Sequence, residues 1–184
     1  MKEISSAVIK EVAQVVERSL ENNDFVKLAE RTAQAKRIFI AGEGRSGLVG
    51  KMIAMRLMHG GYHVYVTGET ITPSIEKGDL LFILSGSGTT GSLASMGTTA
   101  AKTGAEVVSF TTDPDSPIAA SSDQVIRVPA ATKYRRENEP ATIQPLGNQF
   151  DQSLHLLLDA FIIYLSKQQE DNHDSWKNRH ANLE

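Results

Sequence analysis

Residues 38–61, IFIAGEGRSGLVGKMIAMRLMHGG, pass from a short apolar run through a glycine loop into apolar residues at helical spacing. Ile38-Phe39-Ile40-Ala41 has the length of a buried strand, and Gly42-Glu43-Gly44-Arg45-Ser46-Gly47 breaks it. Leu48, Ile53 and Leu57, with Met52, Met55 and Met58 beside them, then read as a helix. Strand, glycine loop and helix in this order bring free backbone N–H groups and the positive end of a helix dipole to one strand end. That arrangement favours an anion, and Gly44 and Gly47 are read as part of a phosphate cradle.

The same loop also spells G-x-G-x-x-G, and Glu69 follows Gly47 by 22 residues, which meets the letter of a dinucleotide-binding fingerprint. A second loop competes with that reading. Leu80-Leu81-Phe82-Ile83-Leu84 is another buried-strand run, and it empties into Ser85-Gly86-Ser87-Gly88-Thr89-Thr90 just before a further helix. Hydroxyl and backbone N–H donors together suit a phosphate monoester with its acceptor oxygens. A dinucleotide needs one such loop; this chain has two.

Working outward, residues 3–20 place Ile4, Val8, Val12, Val15, Val16 and Leu20 on one helical face, and Asp24 can cap a second helix running to Ala35. Strands are expected at 37–41, 63–67, 80–84, 106–111 and 124–128, with helices at 48–59 and 91–103 and a short helical piece after Pro117. Alternating strands and helices predict an α/β fold, a three-layer α-β-α sandwich over a five-stranded parallel sheet. If the first and third strands are neighbours where the winding reverses, as in flavodoxin-like sheets, their two loops share one crevice. Residues 129–147 lack periodicity and are too long for an ordinary connection, so a lid or an oligomer contact is expected there. A long helix over 148–169 buries Phe150, Leu154, Leu157, Leu158, Phe161, Ile162 and Leu165, and a polar tail over 171–184 follows. The chain is read as one domain: N-terminal helices over 1–36, sheet core over 37–128, long loop over 129–147, C-terminal helix and tail over 148–184.

Composition narrows the function classes. At 184 residues, 40% hydrophobic and 22% charged, the chain is an ordinary globular protein able to bury a full core. A net charge of −3 argues against a nucleic-acid partner, which requires a basic surface. There is no cysteine, so disulfides, thiolate nucleophiles and cysteine metal sites are excluded, as suits a reducing compartment. The amphipathic, partly acidic start does not read as a signal peptide, and no apolar run approaches the ~20 residues of a membrane helix. A cytoplasmic protein with no membrane partner is the expectation.

Among the histidines, His59 and His63 have the spacing of a zinc pair, but Gly60-Gly61 interrupt the helix between them, so no metal site is assigned. His59, at the far end of its helix from the glycine loop, is read as structural, facing the last carbonyls. Asp151, His155 and Asp159 share one stripe of the last long helix. Asp151, just after the long loop, is the candidate general base, against a plain solvated or subunit-facing stripe. Arg45 can neutralise a phosphate or a developing enolate oxygen, or pair with Glu43 or Glu69.

GRSGLVGKMIAMRLMH, VTGETITP, KGDLLFILSGSGTTGSL, IQPLGNQFDQS and the terminal RHANLE resemble the sugar isomerase (SIS) domain family, and within it the 6-phospho-3-hexuloisomerase branch. The resemblance implies a tetramer with sites shared between subunits and no cofactor. It also implies interconversion of D-arabino-hex-3-ulose 6-phosphate and D-fructose 6-phosphate through an enediol, in the ribulose monophosphate route of formaldehyde fixation or detoxification. By that resemblance Ser46, Ser85, Ser87 and Thr90 bind the substrate phosphate, and His180 is the catalytic acid or base, reaching a neighbouring subunit. Asp151 stands where the family has a glutamate, one C–C bond or about 1.5 Å longer. The family usually has a small apolar residue at Glu43, which implies that Glu43 is dispensable. The catalytic candidates are therefore His180, Asp151, Arg45 and Glu69. The alternatives are a non-catalytic sugar-phosphate sensor, an arabinose 5-phosphate isomerase and a dinucleotide-dependent oxidoreductase.

Overall fold

The computed structural model describes residues 1–168 and 173–183. In chain order the elements are α1 (Lys2–Asn22), α2 (Phe25–Gln34), β1 (Ile38–Gly42), α3 (Gly44–His59), β2 (Val64–Val66), β3 (Leu80–Leu84), α4 (Gly91–Thr103), β4 (Glu106–Thr111), β5 (Gln124–Arg127), α5 (Asn148–Gln168) and α6 (His173–Asn178). A single 3₁₀ turn, Ala119–Ser121, lies between β4 and β5.

The five strands are all parallel, in the order β2-β1-β3-β4-β5. The winding therefore reverses between β1 and β3, which pair from Ile38↔Leu80 to Gly42↔Leu84. Alternate residues of each strand point to opposite faces, and two core layers result. Ile38, Ile40, Leu80, Phe82 and Phe110 pack with Val15, Leu28, Ile53, Leu57 and the apolar side of α5. Phe39, Ala41, Leu81 and Ile83 pack with Leu93 and Ala100 of α4. Each of the Val, Leu, Ile and Phe side chains among them, fully withdrawn from water, stabilises the fold by about 1.5–3 kcal/mol. The β2–β3 connection carries no helix, so the α4 face is the thinner layer.

Local signals set most of these boundaries. The Asp24 carboxylate accepts a hydrogen bond from the Lys27 amide at 2.8 Å, capping α2. Strands β3 and β4, helix α4 and the start of α5 fall where periodicity and turn residues place them. The edge strand β2 is shorter than 63–67, having one neighbour only. The apolar faces are narrower than their spacing implies. In α1 the buried residues are Val12, Val15 and Ser19, while Ile4 and Leu20 are exposed. In α3 the core-facing stripe is Val49, Ile53 and Leu57, and Leu48 is 62% exposed, one helical step of about 100° away from it. The tail is not uniformly irregular: α6 brings Trp176 against the core.

Residues 129–147 form an arch with many internal ties. The Glu11 carboxylate accepts from Thr142 Oγ1 at 2.6 Å, the Ile143 amide at 3.0 Å and Gln144 Nε2 at 3.0 Å. Burial alone would raise the Glu11 pKa, but these bonds and the Arg135 charge outweigh it and hold the carboxyl below its ordinary value. Arg135 donates to the carbonyls of Thr132, Gln144 and Leu146. Arg135 and Leu146 both sit at φ 50, a conformation non-glycine residues adopt only where surrounding bonds hold them.

Candidate active site

The reversal between β1 and β3 sets the starts of α3 and α4 side by side. Neither helix has a side-chain cap at its N-terminus; Glu43 and Thr90 occupy the capping positions without making one. Their first-turn amides and both dipoles are thus left for an anion. The loops owe their shape to glycine at two places. A Cβ on Gly47 would lie 2.6 Å from the Gly42 carbonyl oxygen, so only glycine lets α3 start against the end of β1. Gly88 has φ +67, and a Cβ there would meet the Ser116 hydroxyl at 2.1 Å.

Between the loops lies a cleft of about 240 Å³, lined by Ser46, Ser85, Ser87, Thr90, Phe150 and Asp151 among others. Ser87 Oγ accepts from the Thr89 amide at 3.3 Å and the Thr89 hydroxyl at 3.1 Å, which leaves its own O–H to donate to a ligand. Phe150 packs under Gly86, where a Cβ would be 3.1 Å from the ring.

Asp151 forms the reactive corner. It is buried at the start of α5, and its carboxylate accepts from Ser46 Oγ at 2.7 Å and from Arg45 Nε at 3.3 Å. Desolvation raises its pKa above the ordinary value, against the opposing pull of Ser46 and Arg45. A carboxylate so placed is a stronger base than one in water. Ser46 thus lines the cleft while donating to Asp151, and Arg45 pairs with Asp151 rather than with Glu43 or Glu69. Glu43 instead accepts from Ser92 in the first turn of α4. Glu69 lies in the turn after β2, ion-paired to Lys51 at 2.6 Å and outside the cleft lining. Lower on α5, His155 and Asp159 pair with each other at 3.2 Å.

His180 is not brought to this cleft in its own protomer. Its ring stacks on His59, with centroids 5.2 Å apart and planes 18° from parallel, at the far end of α3. Arg179 Nη1 donates to the His59 carbonyl at 2.9 Å, so His59 anchors the tail. Sequence reasoning separated these histidines because 120 residues lie between them, and only the fold joins them. Thr132 and Lys133 of the arch also line the cleft, and a segment without periodicity carried no signal for them.

Burial, then the Arg56 and His180 charges, lower the His59 pKa from 6.5, so it is neutral where a free histidine is protonated. The groups facing it are Arg56, His180 and Arg179, none of which relieves a second positive charge. Below pH 6.5 the unfolded chain therefore binds a proton that the folded chain refuses, and stability falls as pH falls. Thermal melts across this range should show a steeper acid-side loss in the parent than in His59→Gln. Equal slopes would remove His59 as the cause.

A parallel sheet of this order with two uncapped helix N-termini at its reversal defines an α/β protein with an anion-accepting crevice. The SIS domain family profile matches residues 32–145, and the chain belongs to that family. It is 45% identical over 157 residues to the 3-hexulose-6-phosphate isomerase of Mycobacterium gastri, spanning 85% of this chain and 78% of that one. The Bacillus subtilis protein of the same name is 39% identical over 165 residues, with 90% and 89% covered. A crystal structure from Methanococcus jannaschii, described as inferring the function of 3-hexulose-6-phosphate isomerase, superposes with a TM-score of 0.86 at 29% identity over all of both chains.

Proposed function

We propose that this protein is a sugar-phosphate isomerase that interconverts D-arabino-hex-3-ulose 6-phosphate and D-fructose 6-phosphate, a step of the ribulose monophosphate route of formaldehyde assimilation or detoxification. The observation that carries the reading is Asp151, a buried carboxylate of raised basicity lining the cleft into which two uncapped helix N-termini open. The phosphate lies against the first turns of α3 and α4, with Ser87, Ser85 and Thr90 donating, and so fixes the distance to the reacting carbons. Asp151 takes the C2 proton; the electron pair moves into C2=C3, and the C3 carbonyl oxygen becomes an enediolate oxygen. Arg45 neutralises that charge, and Asp151 returns the proton to C3. A second group, His180 from a neighbouring subunit, carries the hydroxyl proton from O2 to O3.

Oligomerisation supports this assignment. Leu48 and Met52 on α3 lie beside Arg45 and Asp151, and Met55 on α3 and Leu156 and Ile163 on α5 are further exposed apolar side chains on these two helices. We take that face to be a subunit contact in a tetramer. Among the described residues no helix is long and apolar enough to cross a membrane. The cysteine-free sequence suits the reducing cytoplasm in which we place the enzyme.

The test is direct. Ribulose 5-phosphate, formaldehyde and a hexulose-phosphate synthase supply the substrate, and addition of this protein should produce fructose 6-phosphate. In D₂O the product should carry solvent deuterium at C3 to the extent that the proton held on Asp151 exchanges with solvent before it is returned. Binding of fructose 6-phosphate without turnover would favour the sensor reading instead.

A further inference from the structure

The cleft lacks an obvious counter-charge for the group it is shaped to hold. Of the charged residues that line it, Glu43 and Asp151 are acidic, and the adjacent Arg45 is already committed to Asp151. Among the described residues lining the cleft, the remaining charge is Lys133, and it is the basic one. Its ammonium meets the Tyr134 ring, 5.1 Å from the centroid, rather than a carboxylate. A cation resting on an exposed ring is weakly held and can turn to an anion.

The backbone around Lys133 is fixed far more firmly than its side chain. Beyond β5, Val128, Ala130 and Ala131 are buried, and the Ala131 amide donates to Gln149 Oε1 at 2.7 Å. The Glu139 carboxylate then accepts from the Thr132 amide at 2.8 Å and the Thr132 hydroxyl at 2.6 Å. The Tyr134 amide donates to Thr132 Oγ1 at 3.2 Å, and Arg135 ties the Thr132 carbonyl to those of Gln144 and Leu146. The arch thus holds the Lys133 backbone on both sides at the cleft lining, while its ammonium rests on the Tyr134 ring without a carboxylate partner.

We propose that Lys133 is the phosphate-binding cation of this site, delivered by the 129–147 arch to face the anion held at the starts of α3 and α4. The inference rests on the isomerase reading for its substrate, but the ligand group it recognises is the phosphate alone. Lys133 binds and positions; the proton transfers remain with Asp151 and its partner. A point charge on a flexible stem suits a dianion whose hydrogen bonds are already supplied by the helix amides and hydroxyls.

Two measurements separate this inference from the function on which it builds. Lys133→Met and Lys133→Arg are compared with the parent in the isomerase assay, after melts establish that all three fold. Lys133→Met should raise KM by about ten- to a hundredfold, the worth of one hydrogen bond to a charged group, with kcat little changed. Lys133→Arg should recover most of the loss. Inorganic phosphate, titrated by ³¹P NMR without any substrate, should bind Lys133→Met more weakly by a similar factor. An unchanged phosphate affinity in Lys133→Met overturns the inference, and so does a loss confined to kcat. A parent that binds phosphate through Lys133 but does not isomerise the sugar would overturn the proposed function and leave this inference standing.

Discussion

Asp151→Asn is expected to lower kcat by about 10²–10⁴, the usual worth of a positioned general base, while KM changes little. The amide keeps the volume of the carboxyl and can still accept the Ser46 hydrogen bond, now 2.7 Å long, so the cleft should hold its shape. What it loses is the capacity to take the C2 proton. Stability separates this from a structural effect. Burial raises the Asp151 pKa, so the folded protein binds that proton more tightly than the unfolded chain, and ionisation at neutral pH costs stability. Removing the charge should leave the melting temperature unchanged or higher. The parent's kcat should fall on the acid side at a pH above the ordinary carboxylate value of 3.8, since the base works only when deprotonated. Asp151→Glu, which keeps the charge, should remain active. An Asp151→Asn protein with near-parental kcat would end the assignment.

His180→Ala should cost a similar factor, about 10²–10⁴ in kcat, for the loss of the second acid–base group. The larger effect is seen on mixing. The His59–His180 stack lies at one end of α3 and the cleft at the other. With 16 residues, α3 is about 24 Å long at 1.5 Å per residue, too far for His180 to serve its own cleft. It can serve a neighbour across the exposed face of α3. Asp151→Asn and His180→Ala, each nearly inactive alone, should therefore complement each other when unfolded and reassembled together. At equal amounts and random assortment, about a quarter of the sites receive an intact Asp151 and an intact His180. Recovery toward a quarter of the parental rate is the expected result. Mixed oligomers, verified by mass, that stay inactive would show that His180 does not act across a subunit boundary.

Much of this architecture was legible in local sequence. Apolar runs of strand length at 80–84 and 106–111, the Asp24 cap and the helical spacing of Phe150, Leu154, Leu157, Phe161 and Leu165 are fixed by neighbours a few residues away. The two glycine and hydroxyl loops are of the same kind, because a helix N-terminus after a strand presents its amides wherever it occurs. Motif resemblance extended this to the family and the reaction. It also pointed to Asp151 and His180 without showing what either touches.

The remaining features depend on distant pairings. Ser46 and Arg45 reach Asp151 across more than a hundred positions, which gave both side chains a partner that no local pattern records. Glu69 met a spacing rule, but the β2 turn carries it to Lys51 instead. Lys133 sits in a segment with no periodicity, and Glu11, Glu139 and Gln149 hold that segment from elsewhere in the chain. Leu48 followed helical spacing yet faces outward, because the sheet touches one stripe of α3 and leaves the next uncovered. Backbone conformation follows largely from short-range sterics and hydrogen bonding, which sequence pattern records. Charge, basicity and access at a site follow from which side chains the completed fold brings within a few ångströms of one another, and that is decided only in three dimensions.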